Sequence, residues 1–195
     1  MKKSWIVLLI VAFAFGVGLN LYLDGRKQVD GQTYSYQLLG ENNQSVDIFN
    51  VADDRIRVLY FGFTRCPDVC PTSLAMLSAA MKQMSPEETK HIRPIFITLD
   101  PERDSGDDAQ KYAHYFYPTF EGYSGQLDTI QSLATHYGVI FQKTKLKDSA
   151  LNYTIDHSSY FYFLKPDGTL LKKVPHTLNP QPLILAIQEL EKENQ

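Results

Sequence analysis

The sequence predicts a mixed α/β domain behind one membrane-spanning helix, on three observations. Residues 4–23, SWIVLLIVAFAFGVGLNLYL, contain no charged side chain. Val58–Phe63 and Pro94–Leu99 are short, continuous β-branched and aromatic runs, the form taken by strands buried on both faces. Stretches with apolar residues at helical spacing separate and follow them.

The elements follow in order. A hydrocarbon core about 30 Å thick needs roughly 20 helical residues, so 4–23 is long enough to span it. Trp5 and Tyr22 lie near its ends, where amphipathic rings prefer the interface. A cleaved signal peptide is the competing reading, with Ala12-Phe13-Ala14 as a weak cleavage-like site. The apolar run continues past that point to Leu23, which favours an uncleaved anchor. No cysteine directly follows the run, which excludes a lipoprotein anchor. Residues 1–24 are therefore expected to be a membrane anchor and 25–195 a single domain. Lys2 and Lys3 favour a cytoplasmic N-terminus, which puts the domain on the non-cytoplasmic side, periplasmic or at the outer face of the plasma membrane. Arg26 and Lys27 weaken that orientation signal.

Residues 33–49 read as a hairpin around the turn-rich Gly40-Glu41-Asn42-Asn43. After the first core strand, Leu74, Leu77, Met81 and Met84 mark a helix that ends before Pro86. Pro94–Leu99 is the second core strand. Ser105–Tyr115 reads as a helix with Asp107 and Asp108 in its first turn, where they suit the helix dipole. Leu127–Tyr137 is a further helix closed by Gly138. Residues 142–152 read as a polar loop. Ser158–Leu164 is the third core strand, with His157 at its start. Pro166-Asp167-Gly168 turns the chain into a hairpin strand, Leu170–Val174, and Pro182–Lys192 is a closing amphipathic helix. A buried strand leading to a cysteine pair and a helix, with a final ββα unit, is a thioredoxin-like pattern. Here it carries an N-terminal β-hairpin and a helical insertion between the second and third core strands. The chain carries 19 Lys and Arg against 22 Asp and Glu, a net charge of −3, which gives no support for nucleic-acid binding. The domain is expected to be a monomer.

The only two cysteines, Cys66 and Cys70, lie together in Phe61-Gly62-Phe63-Thr64-Arg65-Cys66-Pro67-Asp68-Val69-Cys70-Pro71. Pro71 suits the first position of a helix, which would make Cys70 the N-cap and set both sulfurs at a positive helix end. That position favours thiolate, the form that binds metal and attacks disulfides. A purely structural disulfide is a poor reading, because so short a loop removes little unfolded-chain entropy. Two thiolates suit Cu(I), Zn(II) or redox exchange. A histidine would complete a three-ligand site. His91, His114 and His136 lie in or beside amphipathic helices as ordinary surface or packing residues, and His176 sits in a Pro-flanked loop. His157 differs, because the start of the third core strand faces the cysteine loop in this fold. Histidine is the commonest metal ligand and also sits inertly in many cores, so the residues alone leave His157 open. Met76, Met81 and Met84 could suggest thioether ligands, but their helical spacing is better explained by packing. The Asp100–Asp104 stretch reads as a loop fixed by an Arg103–carboxylate pair, with Asp104 or Ser105 capping the next helix. Asp156 is expected to point away from the face that His157 occupies.

The cysteine block, Thr98-Leu99-Asp100-Pro101-Glu102-Arg103-Asp104, Asp156-His157-Ser158 and Pro166-Asp167-Gly168 together resemble the Sco/SenC family. Those are membrane-anchored, thioredoxin-like copper proteins. The resemblance covers about residues 30–192, and the N-terminal run also fits. It implies that Cys66, Cys70 and His157 are ligands of copper, as Cu(I) or Cu(II). It implies a metallochaperone, not an enzyme, that assists assembly of the dinuclear copper centre of cytochrome c oxidase, with oxidase subunit II as its partner. The alternative is a thiol–disulfide oxidoreductase that keeps the oxidase cysteines reduced through the Cys66/Cys70 pair. A peroxiredoxin-type peroxidase is disfavoured, because neither cysteine follows the Pro-x-x-x-Thr-x-x-Cys pattern.

Overall fold

The computed structural model describes Gly18, residues 35–147 and residues 151–193. The expected anchor, 4–23, lies outside the described residues except for Gly18. Among the described residues, no helix is long and apolar enough to cross a membrane. Ser35–Gln195 is one compact unit.

A five-stranded sheet carries the domain, in the order β5 (Glu121–Tyr123), β4 (Ile92–Thr98), β3 (Ile56–Gly62), β8 (Tyr160–Leu164) and β9 (Leu170–Pro175). Its centre is β3, paired in parallel with β4 and antiparallel with β8. On the flanks, β5 adds in parallel to β4, and β9 adds antiparallel to β8. Every residue of β3 and β4 is buried, as their continuous apolar runs require. Side chains alternate across the sheet. Tyr60 meets Phe161 at 5.1 Å between ring centres, and Phe96 meets Tyr112 at 5.0 Å. Neighbouring Phe61 packs against Tyr162 and Tyr137.

Among the described residues, four helices and a short helical turn accompany the strands. They are α1 (Val69–Gln83), the single turn α2 (Pro86–Thr89), α3 (Gly106–Phe116), α4 (Leu127–His136) and α5 (Gln181–Glu193). In α1, Leu74, Leu77 and Met81 are buried, and Met84 just beyond it is buried too, so the spacing of these residues serves packing. Ser105 caps α3 through a reciprocal box with Asp108. The N-terminal hairpin is β1 (Gln37–Leu39) with β2 (Ser45–Asp47), joined by a 3-10 turn at Glu41–Asn43.

Three local expectations are corrected. First, α1 begins at Val69 with Asp68 as its N-cap, so Cys70 is already inside the first turn and Pro71 follows it. Pro71 is tolerated there because first-turn amides have no intrahelical acceptor. Second, residues 142–152 are not wholly a loop, because β6 (Phe141–Lys145) pairs antiparallel with β7 (Tyr153–His157). Most of β6 is solvated, and its QKTK sequence carries little apolar signal. Third, His157 does not begin the third core strand. It ends β7, and Ser158-Ser159 separates it from β8. The β6–β7 ribbon is a two-stranded sheet of its own.

Candidate metal centre

β3 delivers the chain to the cysteine loop, and its last residue, Gly62, sits directly beneath the Cys70 sulfur. A Cβ at position 62 would lie 2.8 Å from that sulfur, so only glycine leaves the space. The chain then turns, with the Cys66 amide donating to the Phe63 carbonyl at 3.2 Å. The Cys70 amide, in the first turn of α1, donates to the Cys66 sulfur at 3.4 Å. Cys66 thereby receives a helix N-terminal N–H, the stabilisation expected for an anion at that end. Cys66 is half-buried, Cys70 is fully buried, and both are free thiols.

From the opposite side, β7 brings in His157. Its Nδ1 lies 3.1 Å from the Ser158 carbonyl oxygen, which can only accept, so Nδ1 carries the proton. Nε2 then faces the cysteines, 3.4 Å from the Cys70 sulfur. Tying one ring nitrogen to a carbonyl while the other faces the ligand position is how histidines are oriented toward metals. The rings of Tyr60 and Phe63 meet the imidazole edge-on at 6.4 and 6.2 Å, which fixes its plane.

The two sulfurs are driven apart electrostatically. A hydrogen bond from the Cys70 thiol holds Cys66 well below the ordinary thiol range against the opposing cost of burial, with His157 and backbone amides adding to the effect. Cys70 is pushed up by holding its proton toward Cys66 and by burial. The result is an accessible thiolate backed by a buried, protonated partner.

The structure thus brings together all three residues singled out in the sequence, Cys66, Cys70 and His157. Among the described residues, no set of three His, Cys, Asp or Glu side chains forms a ready-made metal cage; the reduced thiols hydrogen-bond to each other instead. The donor set itself, two soft sulfurs and one imidazole, fits copper. The other histidines have different neighbours. His91 and His114 are exposed, His114 against Gln110, and His136 lies against Tyr36 and Tyr137. His176 is bonded to the buried Ser73 at 2.7 Å. Asp156 is exposed and accepts from Thr144 Oγ1, consistent with a side chain turned away from His157.

Sequence reasoning missed the role of Asp104. Its buried carboxylate accepts from the Thr64 amide at 2.8 Å, the Thr64 hydroxyl at 2.6 Å and the Thr98 hydroxyl at 2.7 Å, so it anchors the cysteine loop. The only sequence signal was an acidic residue beside a helix start, which reads as a cap.

Known proteins resemble the whole domain. Protein SCO1 homolog 1, mitochondrial, of Arabidopsis thaliana is 31% identical over 189 residues, covering 87% of this chain and 55% of the relative. The chain thus spans about half of that protein's length. The SCO2-like protein of Rickettsia felis is 32% identical over 179 residues, covering 85% of this chain and 87% of the relative. The crystal structure of Arabidopsis thaliana ScoI with copper bound superposes with a TM-score of 0.71 at 29% identity, over 82% of this chain and 98% of that one. The thioredoxin-like α/β fold is shared. The SCO1/SenC family pattern matches residues 25–192, a stretch that holds the cysteine loop, the Asp100–Asp104 segment and the histidine ribbon, and the chain belongs to that family.

Proposed function

We propose that this domain binds one copper ion through Cys66, Cys70 and His157 and hands it to the dinuclear copper centre of cytochrome c oxidase. The observation that carries the reading is the approach of His157 Nε2 to Cys70 Sγ at 3.4 Å, with Nδ1 tied to a carbonyl. It adds a fixed imidazole to a thiol pair, a donor that disulfide exchange does not need. Two thiolates suit Cu(I), and the imidazole helps accommodate Cu(II). The copper-bound Arabidopsis relative supports the choice of metal. The half-exposed Cys66 is the side from which an acceptor's ligands would approach. The acceptor is oxidase subunit II, which family resemblance suggests. The working form is a monomer tethered by residues 1–24, with residues 25–195 on the non-cytoplasmic side.

A second reading rests on the same cysteines. Cys66 is accessible and held as thiolate, the pattern of an attacking thiol, with Cys70 placed to resolve. Cys66 would attack an acceptor disulfide, and Cys70 would lose its proton and displace the acceptor. The acceptor would leave as a dithiol and this chain as a Cys66–Cys70 disulfide, needing an external thiol reductant to reset.

Metal titration of the reduced protein beside its His157→Ala variant tests the first reading. One copper per chain is expected, with Cu(I) stoichiometry kept and the Cu(II) spectrum altered in the variant. An unchanged Cu(II) spectrum would remove His157 from the site.

A further inference from the structure

His157 reaches the cysteines on a ribbon that the main sheet does not hold. β6 and β7 pair only with each other, and an isolated two-stranded ribbon is marginal in water. Something else must fix where β7 points. The contacts converge on five residues between β4 and α3.

Arg103 forms an ion pair through Nε with Asp100 Oδ2. Its Nη1 donates to the carbonyls of Leu151 at 2.9 Å and Tyr153 at 3.1 Å, at the start of β7. Its guanidinium lies over the Tyr153 ring, 3.5 Å from the ring centre. The Tyr153 hydroxyl closes the circuit by donating to Asp100 Oδ1 at 2.7 Å. On the partner strand, Lys143 pairs with Glu102 and lies 4.9 Å from the same ring centre. At the end of the segment, Asp104 takes both the amide and the hydroxyl of Thr64 in the cysteine loop. Asp100 and Asp104 are each 1% exposed, so neither is a solvated surface charge.

We propose that Asp100–Asp104 is the positioning element of the metal centre, holding the cysteine loop with Asp104 and the histidine ribbon with Arg103 and Asp100. A single short segment thus sets the distance between thiols and imidazole. Tyr153 to His157 spans about 13 Å of strand, so a small tilt at the pinned end displaces the ring at the far end. The planar fork of Arg103 suits this work, since it bridges two carbonyls and a carboxylate while stacking on a ring, which a lysine cannot do. The segment deepens the copper-site reading and rests on it for one of its two readouts.

The test uses the full chain in detergent, with Arg103→Met, Arg103→Lys and Tyr153→Phe, each alone and in a His157→Ala background. Arg103→Met is expected to weaken Cu(II) binding by about 10- to 100-fold, the range for partners that orient a ligand. Nitrogen hyperfine structure in the Cu(II) resonance spectrum is expected to be lost with it. In the His157→Ala background the same substitution should add almost nothing, because it acts through the ring. Arg103→Lys should fail to restore binding, and Tyr153→Phe, which keeps the stack and removes one hydroxyl, should show a smaller loss of the same pattern. An equal loss in the His157→Ala background overturns the proposal. The second readout needs no metal. The His157 ring signals in the nuclear magnetic resonance spectrum of the metal-free protein should move or broaden in Arg103→Met and, less, in Tyr153→Phe. Unchanged ring signals in both overturn the proposal. If His157→Ala binds copper as the unsubstituted protein does, the copper-site reading fails, and the ring signals alone decide the positioning role.

Discussion

Cys66 and Cys70 occupy unequal sites although they lie in one loop. The Cys66 sulfur meets a helix amide and the Cys70 thiol, and Cys70 is packed over Gly62 with no room for a methyl group between them. The pair was legible in the sequence because the chain has no other cysteine and an apolar strand leads straight to them. The inequality was not, because it depends on which amide faces which sulfur. His157 was visible only as a histidine near the right strand; its ring orientation comes from the Ser158 carbonyl and from Tyr60 and Phe63, which no spacing reports. A testable consequence concerns alkylation. A depressed thiol stays ionised at pH values where an ordinary thiol is protonated, so its reactivity fades only when the pH falls through the depressed value. Alkylation of Cys66 in the reduced protein should therefore persist into acid, while Cys70 stays unreactive. The hydrogen bond from Cys70 is the largest cause, so Cys70→Ala should raise the Cys66 midpoint more than His157→Ala does. Mass-spectrometric rates against pH check this; a larger rise in His157→Ala would contradict the geometry.

At the scale of elements, the central strands, the four longer helices and the closing ββα unit follow from apolar periodicity. Burial on both faces of β3 and β4 goes with a mainly apolar sequence, broken by the buried Arg57 and Arg93 near their starts. The β6–β7 ribbon was misread for the opposite reason. Its outer strand is largely solvated, so QKTK shows no alternation, and the apolar run to Leu164 puts the core-strand start at Ser158 with His157 at its head, whereas the Ser158 amide donates to the Ile140 carbonyl on the ribbon side. The Asp100–Asp104 segment was legible as a loop with an internal ion pair, yet not as a junction, because its partners Thr64 and Tyr153 are remote in sequence. The next residue acts locally: Ser105 caps α3 in a reciprocal box with Asp108. Ser105→Ala is expected to cost about 1 kcal/mol in urea unfolding. Copper stoichiometry should not change, because the cap lies on the helix side of Asp104 and leaves the Thr64 bonds in place. A loss of copper in a folded Ser105→Ala protein would show that the cap, and not Asp104, holds the cysteine loop.

Over the described domain, the central strand β3 carries the chain into the cysteine loop, and a separate ribbon supplies the histidine. The proposed copper reading and its alternative both draw on the same two thiols. Loss of function on replacing Cys66 or Cys70 cannot separate delivery of copper from reduction of a disulfide, because both need the pair. The two differ at His157. Copper held by two sulfurs and a fixed imidazole requires it; disulfide exchange requires only an attacking and a resolving thiol. A Cys66–Cys70 disulfide would also consume both sulfurs, so reduction must precede loading in either case. The expected outcome is that His157→Ala loses assembly of the oxidase copper centre in cells grown at limiting copper. The purified variant should still exchange disulfides with a small model substrate at a rate near that of the unsubstituted protein. Added copper should partly restore oxidase activity to cells lacking this protein, since an excess of cargo bypasses a carrier but not a missing reductant. Oxidase copper content, measured alongside disulfide-exchange rates, checks both halves. Normal oxidase assembly in His157→Ala at limiting copper would transfer the function to the thiol pair alone and make the protein a reductase.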